Sequence, residues 1–270
     1  MALGADLEVH RLGFGALRIT GPGCVGPPTD GAAAERLLRR VVELGVTLID
    51  TADVYGPEVS EQLIAQALHP YPPDLVIATK GGLRAGGHDA RPERLRECCE
   101  ASLRRLKLER IDLYQLHAPD PAVAIEESMG ALRELQNAGK IRHAGVCNVS
   151  AAQLARARGV MSVVSVQNLY NVVDRDRENV LAVCERDGLG FIPWFPLRDG
   201  RLARSDGRLG AIARARGVKP SQIALAWLLR RSPVMLPVPG TSSIEHLEEN
   251  VAAAELELSD AELEQLRAAA

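Results

Sequence analysis

Hydrophobic and polar positions follow two alternating periods along this chain. Eight short apolar runs, bounded by polar or turn residues, read as strands: 12–17 (LGFGAL), 47–52 (TLIDTA), 75–80 (LVIATK), 112–117 (DLYQLH), 143–148 (HAGVCN), 163–168 (VVSVQN), 190–195 (GFIPWF) and 234–239 (VMLPVP). Between them, apolar residues recur every three to four positions in AAERLLRRVVEL, EVSEQLIAQAL, PERLRECCEASLRRL, AIEESMGALRELQNAG, SAAQLARAR, RENVLAVCERDG and PSQIALAWLLRR, the spacing of helices with one buried face. Boundary chemistry supports these limits. Pro92 suits a first helical position, Ser150 an N-cap, and Gly139 and Gly188 helix stops. The tail SSIEHLEENVAAAELELSDAELEQLRAAA reads as two closing helices, the second capped at Ser259 with Glu262 three residues on.

Strands alternating with helices of this length predict βαβ units and a parallel sheet. Eight of them predict a single-domain (β/α)8 TIM barrel over residues 1–270, with a short N-terminal extension and the two closing helices. An open, doubly wound sheet is the competing architecture. Its dinucleotide fingerprint fails here, because GFGALR offers Gly13 and Gly15 but Arg18 where a third glycine belongs.

In a barrel, chemistry gathers where strands end at their C-terminal rim. Asp50 ends the second run and Tyr55 follows it; Lys80 ends the third and His117 the fourth. Singly, each reads as an ordinary turn residue, solvated strand end or satisfied histidine. Together they suit one reaction. A carbonyl that receives hydride needs a proton, and a tyrosine can give it. A lysine cation beside the phenol favours its ionisation, a carboxylate holds that lysine, and a histidine polarises the carbonyl oxygen.

Composition narrows the field. The chain carries 46% apolar and 25% charged residues and a net charge of −3. No long run of one sign invites nucleic acid or a membrane surface. No apolar stretch approaches the roughly 18–20 residues that span a bilayer, and MALGADLEVHRLG lacks the basic and apolar regions of a secretory signal. The five cysteines form no CxxC pair and the six histidines no HExxH motif, so neither a disulfide framework nor a metal site is expected. The expectation is a cytoplasmic monomer acting on a small molecule.

LIDTADVYG, IATKGG, DLYQLH, GVCN, VQNLYN and PVPGTSSIEHLEENVAA, in this order and over nearly the whole chain, resemble the aldo-keto reductase family. The resemblance implies an (α/β)8 barrel that binds NADPH without a Rossmann domain and reduces an aldehyde or ketone. It implies Asp50, Tyr55, Lys80 and His117 as catalytic residues, Tyr55 being the proton donor. Asn148 and Gln167 would bond the nicotinamide carboxamide, with Cys147 where the family usually has serine. Trp194 would stack on the nicotinamide, Pro196 and Leu197 would approach the pyrophosphate, and Gly240, Thr241 and Ser242 would turn beside the adenosine phosphate. Glu249 and Asn250 would meet adenine. The family's PKSxxRExR pattern is replaced by PGTSSIEH: Gly240 stands for the lysine, and Ser243 and His246 for arginines. Fixed positive charge is lost, which leaves NADH as an alternative cofactor. ALRITGPGCVGPPTD and WFPL are similar to the bacterial pyridoxal reductase branch, implying reduction of pyridoxal to pyridoxine, with Leu17, Arg18 and Val54 on the substrate rim. Other readings are a reductase of a sugar or secondary-metabolite carbonyl, a cofactor-sensing regulatory subunit, and a phosphate-binding barrel lyase or isomerase. The loop PLRDGRLARSDG after the seventh run is expected to be short and the pocket open.

Overall fold

The computed structural model describes residues 1–204 and 206–267. A hairpin, β1 (Ala2–Leu3) and β2 (Leu7–Glu8), leads the chain. There follow β3 (Phe14–Gly15), α1 (Gly31–Glu43), β4 (Leu48–Asp50), α2 (Val59–Leu68), β5 (Val76–Gly81), a second hairpin of β6 (Leu83–Arg84) and β7 (Gly87–His88), α3 (Pro92–Leu106) and β8 (Ile111–Leu116). The remainder is α4 (Ile125–Asn137), β9 (Ile141–Cys147), α5 (Ala151–Val160), β10 (Ser165–Leu169), α6 (Glu178–Asp187), β11 (Gly190–Trp194), α7 (Arg208–Arg216), α8 (Pro220–Arg231), α9 (Ile244–Ala252) and α10 (Asp260–Arg267).

Seven strands form one parallel sheet in the order β3-β4-β5-β8-β9-β10-β11. Segment 234–239, expected as an eighth strand, forms no regular ladder. Pro237 and Pro239 have no N–H to give. The segment is nonetheless bonded to both edges of the sheet: Phe191 N donates to Val234 O (2.8 Å) and Leu236 N to Phe191 O (2.9 Å), while Gly13 N donates to Pro237 O (3.0 Å) and Gly15 N to Pro239 O (3.3 Å). The fold is TIM-barrel-like. The glycines at 13 and 15, which fail as a nucleotide fingerprint, serve this junction: a Cβ on Gly15 would lie 2.6 Å from Val238 O.

Helix ends follow their local chemistry. Asp30 caps α1 by accepting from Ala33 N at 2.8 Å. Pro92 is the first residue of α3, and Ser150 and Gln153 complete a capping box on α5. Gly188 ends α6 at φ 67°, and Gly139 follows α4 at φ 72°. The box at Ser259 forms as expected, Ser259 N donating to Glu262 Oε2 at 2.7 Å. The last three alanines of that tail lie outside the described residues. Two elements were not anticipated. The β6–β7 hairpin turns through Ala85–Gly86 directly after the third barrel strand, and α7 occupies sequence read as having no element of its own. α7 buries Leu209, Gly210, Ile212 and Ala213, a contact face too small and glycine-broken to give a strong helical period.

Strand alternation sorts side chains into two cores. Ile49 and Ile77 face outward against α1 and α2, whereas Leu48, Val76, Ala78, Leu113, Ile192 and Leu236 pack inside the barrel with Leu3, Leu7 and Val9 of the leading segment. The hairpin therefore plugs one end of the barrel, and polar side chains fill the other. Among the described residues, no helix is long and apolar enough to cross a membrane.

Candidate active site

Counting by two along each strand leads from the apolar interior into the polar layer: Leu48 to Asp50, Ala78 to Lys80, Leu113 to Gln115 to His117, Gly145 to Cys147, and Ser165 to Gln167. Register aligns these steps, with Lys80 opposite Gln115, Gln115 opposite Gly145, and Gln167 opposite Cys147. The loop after β4 is pinned to β5 by Thr51 N to Ala78 O (2.8 Å) and Asp53 N to Lys80 O (3.2 Å). Glu58 N closes it onto Asp53 O at 2.7 Å, and Ser60 N reaches Tyr55 O at 3.2 Å, so Tyr55 is fixed just before α2.

Lys80 is fully buried, and each of its three N–H donors has a partner. Nζ lies 2.7 Å from Asp50 Oδ2, 2.8 Å from Thr51 O and 3.4 Å from the Tyr55 hydroxyl. The phenol oxygen thus accepts from Lys80, which leaves its own proton free to be donated. Burial works against the Lys80 charge, but Asp50, Tyr55 and Cys147 outweigh it and hold the ammonium protonated well above its ordinary range. For Tyr55 the balance differs from the sequence expectation. Lys80 does favour the phenolate, yet burial is the larger effect and the phenol rises above its usual value. Asp50 also accepts from Gln167 Nε2 (3.0 Å) and Gln115 Nε2 (3.2 Å), both on Oδ1.

His117 packs edge-on to Tyr55, ring centroids 6.0 Å apart. Burial, then Lys80, then His88 push its imidazole well below the ordinary range, so it is neutral at pH 7. Its Nδ1 is buried without a protein partner. Asn148, in a left-handed conformation (φ 57°), donates to His117 O at 3.0 Å and accepts from the Trp194 indole at 2.9 Å. Cys147 Sγ sits 3.7 Å from Gln167 Oε1 and 3.8 Å from Gln115 Oε1, and burial pushes its thiol pKa up, so it remains a thiol. Asp50, Tyr55, Lys80, His117, Cys147, Asn148, Gln167 and Trp194 therefore form one connected group.

The other expected residues lie outside this group. Ser243 is the N-cap of α9, and Thr241 Oγ1 accepts from Ser243 N at 3.0 Å. Gly240 approaches β3 so closely that a Cβ there would lie 2.7 Å from Gly15 O. Ser242 and His246 are exposed, Glu249 pairs with Lys219 at 3.6 Å, and Asn250 is buried. Pro196 and Leu197 follow Phe195, which has φ 63°. Arg18 is ion-paired with Asp199 on that same loop, so its charge is engaged there. Leu17 is half-buried. Gln115 escaped sequence reasoning, although it lies two residues before His117 on the same face of its strand.

Val54 lines a cavity of about 180 Å³ with Asp53, Leu83, Arg94, Cys98 and Arg105. A larger cavity of about 310 Å³, between residues 119–125 and α5, touches none of the four expected catalytic residues. Asp53 Oδ1 is buried without a partner, and burial raises this carboxyl to about 6, the Cys98 thiol opposing. The native state then binds a proton more tightly than the unfolded chain, so stability is lost as pH rises from about 4 to about 6. Asp53→Asn should stabilise the protein at pH 8 by up to about 3 kcal/mol and have little effect near pH 4. Denaturant unfolding of both proteins at the two pH values checks this; an equal difference at both would remove the assignment.

Among the described residues, no group of three or more His, Cys, Asp or Glu could hold a metal ion. The model of the aldo/keto reductase family matches residues 11–270. An uncharacterized oxidoreductase of Schizosaccharomyces pombe is 48% identical over 259 residues, covering 94% of this chain and 84% of that protein. Pyridoxine 4-dehydrogenase of Escherichia coli is 42% identical over 266 residues, covering 94% and 92%. The crystal structure of an aldo/keto reductase from Klebsiella pneumoniae in complex with NADP and acetate superposes with a TM-score of 0.84 at 29% identity, covering 97% of this chain and 91% of that one.

Proposed function

The chain belongs to the aldo/keto reductase family, and from that premise we propose that it is an NADPH-dependent reductase of aldehydes or ketones, with pyridoxal as the preferred carbonyl. NADPH, when bound, supplies hydride. Trp194, Asn148, Gln167 and Cys147 would hold the nicotinamide end; Pro196 and Leu197 would flank the pyrophosphate; and Gly240, Thr241, Ser242, His246, Glu249 and Asn250 would hold the adenosine end. The observed features fit such a ligand. Trp194 is 36% exposed beside Asn148, and the Gly240–Ser243 turn opens the N-terminus of α9, where free backbone N–H groups suit an anion.

The observation that carries the reading is the Lys80 ammonium, whose three bonds leave the Tyr55 proton free. Tyr55 stays protonated at neutral pH, as a proton donor must. Lys80 stabilises the phenolate left after transfer to the substrate oxygen. His117, being neutral, can polarise that oxygen without adding to the Lys80 charge. Reduction therefore needs the phenol and alcohol oxidation the phenolate, so raising the pH favours oxidation. Pyridoxal is preferred on the likeness to pyridoxine 4-dehydrogenase and on the N-terminal loop.

The test is kcat/KM for pyridoxal against benzaldehyde, with NADPH and NADH in turn. A ratio well above one supports pyridoxal, since discrimination resides in differential transition-state binding. A ratio of one or less leaves only the general reductase. NADPH should be preferred by a modest margin, because Ser243 is occupied as a helix cap and His246 carries no fixed charge.

A further inference from the structure

Asp50 accepts from three side-chain donors, and one of them has no expected role. Gln115 is fully buried in the barrel interior. Its amide N–H donates to Asp50 Oδ1 at 3.2 Å, while its Oε1 accepts from Ser165 Oγ at 3.5 Å and faces Cys147 Sγ at 3.8 Å. A carboxylate only accepts, whereas a hydroxyl and a thiol can donate, so this neighbourhood permits one orientation of the amide. Room for the side chain comes from β9. A Cβ on Gly145 would fall 2.3 Å from Ser165 Oγ and 2.9 Å from Gln115 Cγ.

The consequence lies with Lys80. Asp50 Oδ2 is held by the ammonium and Oδ1 by two amides, from Gln115 and Gln167, which stops the carboxylate from rotating. Donors on Oδ1 also draw carboxylate charge away from Lys80, leaving more of its field for the Tyr55 oxygen. We infer that Gln115 is a positioning residue for carbonyl reduction, turned by Ser165 and Cys147 so that it fixes Asp50 and, through Asp50, the ammonium beside Tyr55. This rests on the reductase reading of the site.

Two variants of the full chain test it. In Gln115→Glu, two carboxyls face each other and share a proton at low pH, the protonated one donating to Asp50 as the amide does. Its kcat should be within about threefold of wild type near pH 5, then fall about tenfold below it as the shared proton leaves, the equivalent of one unit in Tyr55 acidity. KM for NADPH should not change. Gln115→Met, which offers no donor, should be about tenfold slower at every pH, without the new limb. A merely structural role would slow both variants in parallel, and parallel profiles overturn the inference. The isosteric Gln115→Glu variant decides the matter alone should Gln115→Met fail to accumulate.

Infrared difference titration of Gln115→Glu gives a readout independent of turnover. The protonated carboxyl band should persist well above the ordinary carboxylate range. A band lost near pH 4, as for a solvated glutamate, overturns the inference. A wild-type protein without turnover would sink the reductase reading, while the infrared result would still decide the placement of Gln115.

Discussion

Tyr55→Phe should lower kcat for aldehyde reduction by about 10²–10⁴-fold, the usual loss with a general acid, while the dissociation constant for NADPH changes less than about twofold. The asymmetry follows from the contacts. Phenylalanine keeps the edge-on packing against His117 and loses only the hydroxyl that accepts from Lys80. No expected cofactor residue bonds that hydroxyl. Quenching of tryptophan fluorescence, with half-exposed Trp194 as reporter, measures binding, and steady-state turnover measures the chemistry. A variant that retains wild-type kcat would remove Tyr55 as the proton donor.

Lys80→Met should be the most damaging change to stability within the site. It strands the Asp50 carboxylate, 4% exposed, without its counter-ion. Breaking a buried ion pair from one side costs about 3–5 kcal/mol. Asp50→Asn combined with Lys80→Met should recover much of that loss, since an amide can remain among Gln115 and Gln167 without a buried charge. It should recover no activity, because nothing then stabilises the phenolate. Urea unfolding of wild type, single and double variants at pH 7 makes the comparison. Equal stability of the single and double variants would mean that the charge on Asp50 is not what the lysine balances.

The residues proposed to carry the reaction were legible because they stand where a strand's apolar run stops. Asp50, Lys80 and His117 interrupt the pattern, and Tyr55 sits one tight loop further on. What lay beneath them was harder to read. Gln115 lies inside an apolar run, where a polar residue at a strand end could equally face a helix. Only the inward position of Leu113, the same-face neighbour two residues before it, fixes its direction. The eighth run takes the expected place between the two sheet edges but without a regular ladder, because Val234, Met235, Leu236 and Val238 read as strand while Pro237 and Pro239 lack the donors to complete one. Ser243, read only as standing where the family has arginine, also caps α9, a role that its motif position does not announce. α7 was missed because its period is weak. Arg18 shows a further limit, since its partner Asp199 is distant in sequence and nothing local announces the pair.

The proline-bearing segment has a mechanical meaning. Six interfaces of the sheet are ladders in which neighbouring bonds reinforce one another, but segment 234–239 meets β11 through one reciprocal bridge at Phe191 and meets β3 only through the carbonyls of Pro237 and Pro239, which have no N–H to return. With one-way bonds only, the β3 side of this seam is the part of the barrel wall expected to open at least cost. The Gly240–Ser243 turn follows directly from it, so the proposed cofactor, bridging that turn to the loop after β11, would act as a fastener across the seam. In the proposed binding mode, tightness at that turn and closure of the barrel wall would be one mechanical event.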